Sequence, residues 1–282
     1  MATATTWIDR STWRDRRIWL VAPALILLLT IFAYPVGTLL LRSISDPTWG
    51  LQNFKVIAQQ PVYRSALTNT VVISGSVTLI CLICGYPLAY SIAQAGSRLR
   101  RLLIFAVLIP FWSSILVRTF AWMVLLQRRG LINDTLMGLG LTDMPITMVH
   151  NRIGVLVGMV HILLPFMVLP LYAVMVRIDR TYSQAAASLG ASPVRNFYRI
   201  YLPLSRPGVV NGVVLVFVMG LGYFITPALL GGAGDAMIAQ LIEQQVADFG
   251  EWGVAGALSV ILMFGVGVTF ALLFRTGTAT NK

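Results

Sequence analysis

Between residues 18 and 274 the chain passes through six apolar stretches, at approximately 18–41, 71–95, 102–126, 153–176, 209–230 and 253–274. A bilayer core of about 30 Å is crossed by about 20 helical residues, so each stretch is long enough to span it. Only 11% of the residues are charged, against about 25% in a soluble domain. A soluble fold is excluded, and the expected class is an all-α membrane protein with six transmembrane helices. Residues 1–17 then form an N-terminal segment, 18–274 one transmembrane domain, and 275–282 a C-terminal tail.

The charges say which way the chain runs. The formal net charge is +11, which in a soluble protein would suggest nucleic acid. Here the basic residues cluster between apolar spans, a pattern of membrane topology. Fourteen of the 21 Lys and Arg lie in the N-terminal segment, the second-to-third loop, the fourth-to-fifth loop and the tail, beside only Asp9, Asp15 and Asp179. The opposite side holds seven basic and seven acidic residues. The positive-inside rule then places both termini and the fourth-to-fifth loop in the cytoplasm. Arg10, Arg14, Arg16 and Arg17 resemble the charged start of a signal peptide. The apolar stretch after them is too long for one, and no small-residue cleavage site follows. An uncleaved first helix is expected.

Prolines at 35, 87, 110, 165, 170 and 227 fall inside the spans. Each removes a backbone donor and is expected to kink its helix. Lipid tolerates such breaks where protein or a wet cavity satisfies the freed carbonyls, which suits helices around a path. Cys81 and Cys84 form a C-x-x-C inside an apolar run, with no second pair and no histidine nearby. Buried packing thiols are expected there.

The fourth-to-fifth loop, residues 179–206, is the polar exception in this apolar chain. Residues 184–203 read QAAASLGASPVRNFYRIYLP. An Ala-rich helix is expected over 183–189, ended by Gly190. Ser192 is placed to cap a second helix with Pro193 at its first position. Over 193–201 that helix would set Val194, Phe197, Tyr198 and Tyr201 on one face and Arg195 and Arg199 on another. Pro203 and Pro207 are expected to break the chain before the fifth span. A second reading makes the stretch an amphipathic helix on the inner leaflet, drawn by Arg195 and Arg199.

The spacing of this loop resembles the coupling loop of bacterial ABC importer permeases: E-A-A, three residues, Gly, nine residues, Ile-x-Leu-Pro. Gln184, Ala185, Ala186, Gly190, Ile200, Leu202 and Pro203 fall at those positions, with Gln184 replacing the family's Glu. GYPLAYSIA at 85–93, IPFWSSILVRTFAW at 109–122, HILLPFMVLPLY at 161–172 and YFITPALLGG at 223–232 are similar to the spermidine/putrescine-type branch. The resemblance implies a type I importer permease fold. It assigns ATPase coupling to those seven residues together with Ala191, Ser192, Pro193 and Arg195. It also implies a second, related permease chain, two ATPase subunits that bind ATP and Mg, and an extracytoplasmic binding protein, in a bacterial inner membrane. No cofactor is expected in this chain itself, and no nucleic-acid partner; lipid surrounds it.

No G-x-x-x-x-G-K-[ST] segment is present, so ATP hydrolysis is expected elsewhere. The branch implies a polyamine as solute, with opines and amino-acid-like cations as the alternative. No Asp or Glu lies mid-span; Asp235, Glu243, Asp248 and Glu251 sit outside, where they can receive a cation. Residues expected along a path are Trp112, Arg118, His161, Tyr223 and Thr226, with Trp122 and Phe224 as further aromatics. Asn69 and Asn211 are expected to bond helices together. An amphipathic helix over 236–247 is expected at the outer surface. A secondary transporter would need mid-membrane acids, and an intramembrane enzyme an H-E-x-x-H or G-x-S-x-G motif. The chain has neither.

Overall fold

A computed structural model describes residues 18–278, all in helices and the turns between them. The expected N-terminal segment, 1–17, and residues 279–282 of the expected tail lie outside the described residues. The first span is α1 (Ile18–Leu27), a π-turn (Leu28–Ala33) and α2 (Tyr34–Ser45). A short α3 (Gln52–Gln59) leads into α4 (Pro61–Gln94). Next come α5 (Ser97–Leu108), a 3-10 turn (Ile109–Trp112), α6 (Ile115–Leu126), α7 (Leu131–Gly138) and α8 (Arg152–Met175). The loop holds α9 (Arg180–Ser188), α10 (Pro193–Asn196) and a second π-turn (Phe197–Tyr201), and runs into α11 (Leu202–Leu221). α12 (Ile225–Leu230), α13 (Ile238–Ala247) and α14 (Trp252–Thr278) complete the chain.

Among the described residues, five helical segments are long and apolar enough to cross a membrane, or six if one bent pair is counted as a single span. That pair corrects the expected third span. Ser97–Trp112 and Ile115–Gly138 meet at 97°, so residues 102–126 are two rods rather than one. The break falls at Ser113 and Ser114, both extended, just after Pro110. The fifth span also ends earlier than expected, at Leu221. Gly222 closes α11, and Pro227 lies in the separate α12. The second span begins ten residues earlier, because Pro61 opens a helix whose first turns are polar. At the other end, α14 runs through Thr278, so the expected tail is partly helix.

Four of the six prolines leave their helices unbroken. Pro87 lies inside α4, and Pro165 and Pro170 inside α8. Pro35 follows the first π-turn, in which the Tyr34 N–H donates to the Leu29 carbonyl, five residues back. Pro203 follows the second π-turn in the same way, with the Leu202 N–H donating to Phe197. Widening the turn moves carbonyls away from a pyrrolidine ring that lacks a donor and would clash with them. Hence Pro203 and Pro207 do not break the chain: Pro193–Leu221 is one helical segment.

The core is the bundle of α4, α8 and α11, filled by Ile73, Val77, Met159, Leu163, Met167 and Val216, all fully buried. Gly208 and Gly212 let α11 approach α8 closely; a Cβ on Gly212 would stand 2.7 Å from Met167 Sδ. A second cluster unites α3, α13, the start of α4 and α14 around Ile57, Leu241 and Leu258. α2 packs antiparallel on α14, where Gly253 lies against the Asp46 carbonyl and Gly256 against Leu39, and Arg42 stacks over Trp252 at 5.0 Å. Cys81 is buried and its thiol points to the Val160 carbonyl at 3.7 Å. Cys84, three residues on, is exposed, contrary to the expectation for both.

Candidate functional site

The 179–206 loop is a bent pair of helical legs. α9 starts three residues before the Ala-rich run because the Asp179 carboxylate caps it, accepting the Thr181 N–H at 2.9 Å. That hydrogen bond holds the Asp179 carboxyl below its ordinary pKa. Gly190 ends the leg at φ +80°, with its N–H on the Ala187 carbonyl and the Ala191 N–H on Ala186. These paired bonds are a Schellman motif, which needs a left-handed residue at that position. Ser192 then caps α10, accepting the Arg195 N–H at 3.3 Å, and Pro193 stands at its start. These local expectations match the structure.

The expected face of the second leg does not. Val194 and Tyr198 are exposed, whereas Phe197 is half-buried and Tyr201 is 5% exposed. The π-turn changes the angular spacing within the leg, so the spacing counted for an α-helix splits the four residues between two sides. Phe197 and Tyr201 turn onto Tyr86 and Tyr90 of α4. Arg195 and Arg199 are exposed.

Two hollows flank the legs. An apolar groove of about 600 Å³ is lined by Tyr182, Ala185, Ala186, Leu189, Ala191, Ile200 and Pro203, with Arg199 at its edge. Leu189, at the bend, is 89% exposed. Leu202 is half-buried at the root of α11. On the other side a cleft of about 470 Å³ separates α9 from α4, lined by Gln184, Asp179, Arg180, Asn196 and Tyr201 among others. Gln184 therefore sits on the flank facing its own chain, away from most of the motif positions in the apolar groove. Leu189 was not anticipated; its place just before a left-handed Gly was the available signal.

Within the spanning segments, α6, the second rod of the bent pair, meets α8 and α12. The Trp122 indole N–H donates to His161 Nδ1 at 3.0 Å, and the Thr119 and Thr226 hydroxyls lie 3.4 Å apart, with both threonines fully buried. Arg118 stands on α6 beside Thr119 and one turn before Trp122, the residues that meet Thr226 and His161, and Tyr223 lies three residues before Thr226. The Arg118 Nε and the Tyr223 hydroxyl are buried without a hydrogen-bond partner. So Arg118, His161, Tyr223 and Thr226 come together. Trp112 does not: it is 72% exposed at the break and packs on Phe105. Thr119 was missed, although it shares α6 with Arg118 and Trp122.

On the remaining face, Arg152 pairs with Asp235 at 3.1 Å and donates to Asn69 Oδ1 at 2.7 Å. Asn69 donates onward to the Gly234 carbonyl at 2.6 Å. Asp235 is thus engaged rather than free to receive a cation. Asn69 bonds elements together as expected, while Asn211 is exposed on α11. In α13 the apolar side, with Ile238 and Leu241, is buried against α4 and α14, and the Ile238 N–H donates to Thr70 at 2.8 Å.

Residues 82–276 match the family described as binding-protein-dependent transport system inner membrane component. The chain belongs to this family. It is a multi-pass inner-membrane protein of the permease type. Among curated relatives it is 35% identical over 222 residues to the spermidine/putrescine transport system permease protein PotB of Salmonella typhimurium (strain SL1344), covering 79% of this chain and 77% of that one. PotB of Escherichia coli (strain K12) is equally similar, with 79% and 81% covered. The inner membrane ABC transporter permease protein YdcU of Escherichia coli (strain K12) is 28% identical, with 82% and 77% covered. The fold is similar to that of a bacterial alginate ABC transporter in complex with an alginate pentasaccharide-bound periplasmic protein. That likeness has a TM-score of 0.74 at 20% identity, over 96% of this chain and 97% of the other. A chain of the MetNI methionine ABC transporter aligns with a TM-score of 0.59 at 17% identity, over 77% and 95%. The family's type I importer permease fold is the one observed, with its motif loop displayed as a separate bent element.

Proposed function

We propose that this chain is the membrane-spanning permease subunit of an ATP-driven importer of polyamines of the spermidine/putrescine class. The observation that carries the reading is the 35% identity to PotB over 79% of the chain. The bent loop supports it, because its motif positions line an apolar groove open to a partner. Residues 179–206 are the contact to an ATP-hydrolysing subunit, with Leu189 and the groove of Ala185, Ala186, Ile200 and Pro203 as the surface it grips. Both termini and this loop face the cytoplasm, in keeping with the excess of Lys and Arg on that side. The chain pairs with a second, different permease to enclose a path. Two ATPase subunits beneath bind ATP and Mg, and an extracytoplasmic binding protein delivers the solute. Closure of the ATPase pair draws the two loops together and turns the cavity outward; hydrolysis returns it inward. The cluster of Arg118, His161, Tyr223 and Thr226 contributes to the path.

One observation favours a second reading of the solute. The membrane-buried cluster holds the cation Arg118 and, among the described residues, no carboxylate. An opine or amino-acid-like solute carries the anionic group that such a site suits. A single experiment separates the two. The cognate binding protein is titrated with spermidine, putrescine, opines and amino acids, followed by ATP-dependent uptake into vesicles holding the assembled complex. Binding and uptake of polyamines alone support the first reading; uptake of the carboxylate-bearing solutes alone overturns it. Failure of any ATPase subunit to co-purify would remove both.

A further inference from the structure

At the root of the loop, four aromatic rings from two spans lock together. Tyr86 and Tyr90 stand one turn apart on α4. Phe197 opens the π-turn and meets both edge-on, with ring centroids 5.9 Å and 6.0 Å away and interplanar angles of 89° and 87°. Tyr201, at the end of the turn, meets Tyr90 at 4.9 Å and 85° and stacks on Phe197 at 6.3 Å and 14°. Beside the rings, the Tyr86 hydroxyl bonds the Ser205 hydroxyl of α11 at 2.8 Å, and Ser205 in turn donates to the Leu202 carbonyl at 2.9 Å. Ser205 is fully buried.

The loop reaches the two spans by different routes. Its second leg is continuous with α11, so displacement passes into that span through the helix itself. No such continuity joins the loop to α4. The first leg touches the end of α4 through Arg180, which donates to the Gln94 carbonyl at 3.3 Å in an exposed position. An exposed bond of that length is a weak link. At the loop's root the rings, with the Tyr86–Ser205 bond beside them, make the contact to α4, and further along α4 and α11 pack directly, as where Gly220 meets Ser74. Edge-to-face pairs are directional, and a close-packed contact shifts as a body rather than deforming.

We infer that Phe197, with Tyr86, Tyr90 and Tyr201, is the positioning joint that makes α4 move with α11 when the loop is displaced. This rests on the loop being the ATPase contact. The π-turn serves the joint, because it turns Phe197 and Tyr201 inward while Val194 and Tyr198 stay outside. Phe197 is thereby withdrawn from the face offered to the partner. Its role is to convert a push on one rod into a concerted movement of two.

The test uses the assembled importer in proteoliposomes with its binding protein and spermidine as probe, reading uptake and ATP hydrolysis in the same vesicles. Phe197→Ala and Tyr90→Leu are expected to lower the spermidine moved per ATP by about fivefold, the scale of mutations within a coupling network. Tyr90→Phe, which keeps the ring, is expected to retain the ratio. An unchanged ratio in Phe197→Ala overturns the joint. Should that variant fail to assemble, Phe197→Leu, which keeps apolar bulk but removes the ring, takes its place, and a ratio equal to the parent's overturns the inference equally. A parallel arm crosslinks Leu189→Cys to the ATPase subunit in a chain with Cys81 and Cys84 replaced by Ala. A crosslink with unchanged ratios sinks the joint alone; no crosslink sinks the loop contact and the joint with it.

Discussion

Arg152 at the start of α8 reaches Asp235 at 3.1 Å, tying that helix to the short turn at Ala233–Asp235, 83 residues on in sequence. The same guanidinium also satisfies Asn69, which is 9% exposed. The two partners should therefore respond unequally to substitution. Asp235→Asn removes an ion pair whose Arg152 side chain is 45% and whose Asp235 side chain is 13% exposed, and is expected to cost about 1 kcal/mol, less at high salt. Arg152→Met strands a buried amide oxygen and is expected to cost about 1–3 kcal/mol. Thermal unfolding in detergent at low and high salt checks the order; a larger loss from Asp235→Asn would overturn it.

Gly190 is held at φ +80° by the turn that ends α9. Gly190→Ala should destabilise this bend by about 1–2 kcal/mol, the cost of a Cβ in the left-handed region. Gly190→Asn should be the best tolerated replacement, since Asn enters that region readily. Amide exchange of Ala191 reports the bend directly, and ATP-dependent uptake reports its consequence. Equal protection in parent and Gly190→Ala would remove the argument.

Asp179 gives the loop a pH dependence of known sign. Its carboxyl is held below the ordinary range by the Thr181 N–H. A depressed carboxyl contributes order that is complete above its unfolded pKa of about 4 and is lost as pH falls through the folded value. The first turn of α9 should stay intact from neutral pH to about 4 and fray below it. Asp179→Asn, an equally good cap, should abolish the dependence while keeping the turn; Asp179→Ala should fray it at every pH. Exchange at Thr181 across an acid series is the measurement.

Trp122 and His161 are joined by a single hydrogen bond of 3.0 Å. Since the indole can only donate, His161 must accept at Nδ1 and carry its proton on Nε2. Trp122→Phe and His161→Phe should each destabilise, and the double variant should cost less than their sum, with a coupling of about 0.5–1.5 kcal/mol. Strict additivity would mean that the bond contributes nothing.

Gly212 faces Met167 with no room for a side chain. Gly212→Val is expected to cost about 1–3 kcal/mol through overpacking. Met167→Ala in the same chain should recover part of it by opening space. A lower unfolding temperature in the double variant than in Gly212→Val would contradict this account of the α8–α11 contact.

The parts legible in the sequence were those governed by short-range rules. Span number follows from the length of apolar runs, and the Gly190 bend and Ser192 cap follow from backbone geometry at single residues. What escaped depends on partners distant in the chain. Nothing near Pro110 announces that residues 113 and 114 extend while Pro87 and Pro165 stay within unbroken helices, because the outcome rests on what packs beside each ring. Arg152 and Asn69 carry no motif, and their pairing exists only once α4 and α8 lie side by side. Thr119 was within reach, since it shares a helix with Arg118 and with Trp122, which was anticipated as an aromatic of the path. The faces of the second leg were misassigned for a definite reason: an α-helical spacing was applied to a π-turn.

Each widened turn works as a change of phase. A helix advances about 100° per residue, so the extra residue accommodated in Phe197–Tyr201 rotates everything downstream by about that angle relative to an unbroken rod. Closing that turn to α geometry with every residue kept would leave the span nearly as long, yet swing Gly208 away from Leu171 and Gly212 away from Met167, whereas deleting one residue along with the widening would restore their phase. Length is thus a poor guide to what insertions and deletions do beside Pro203; orientation is the quantity they alter.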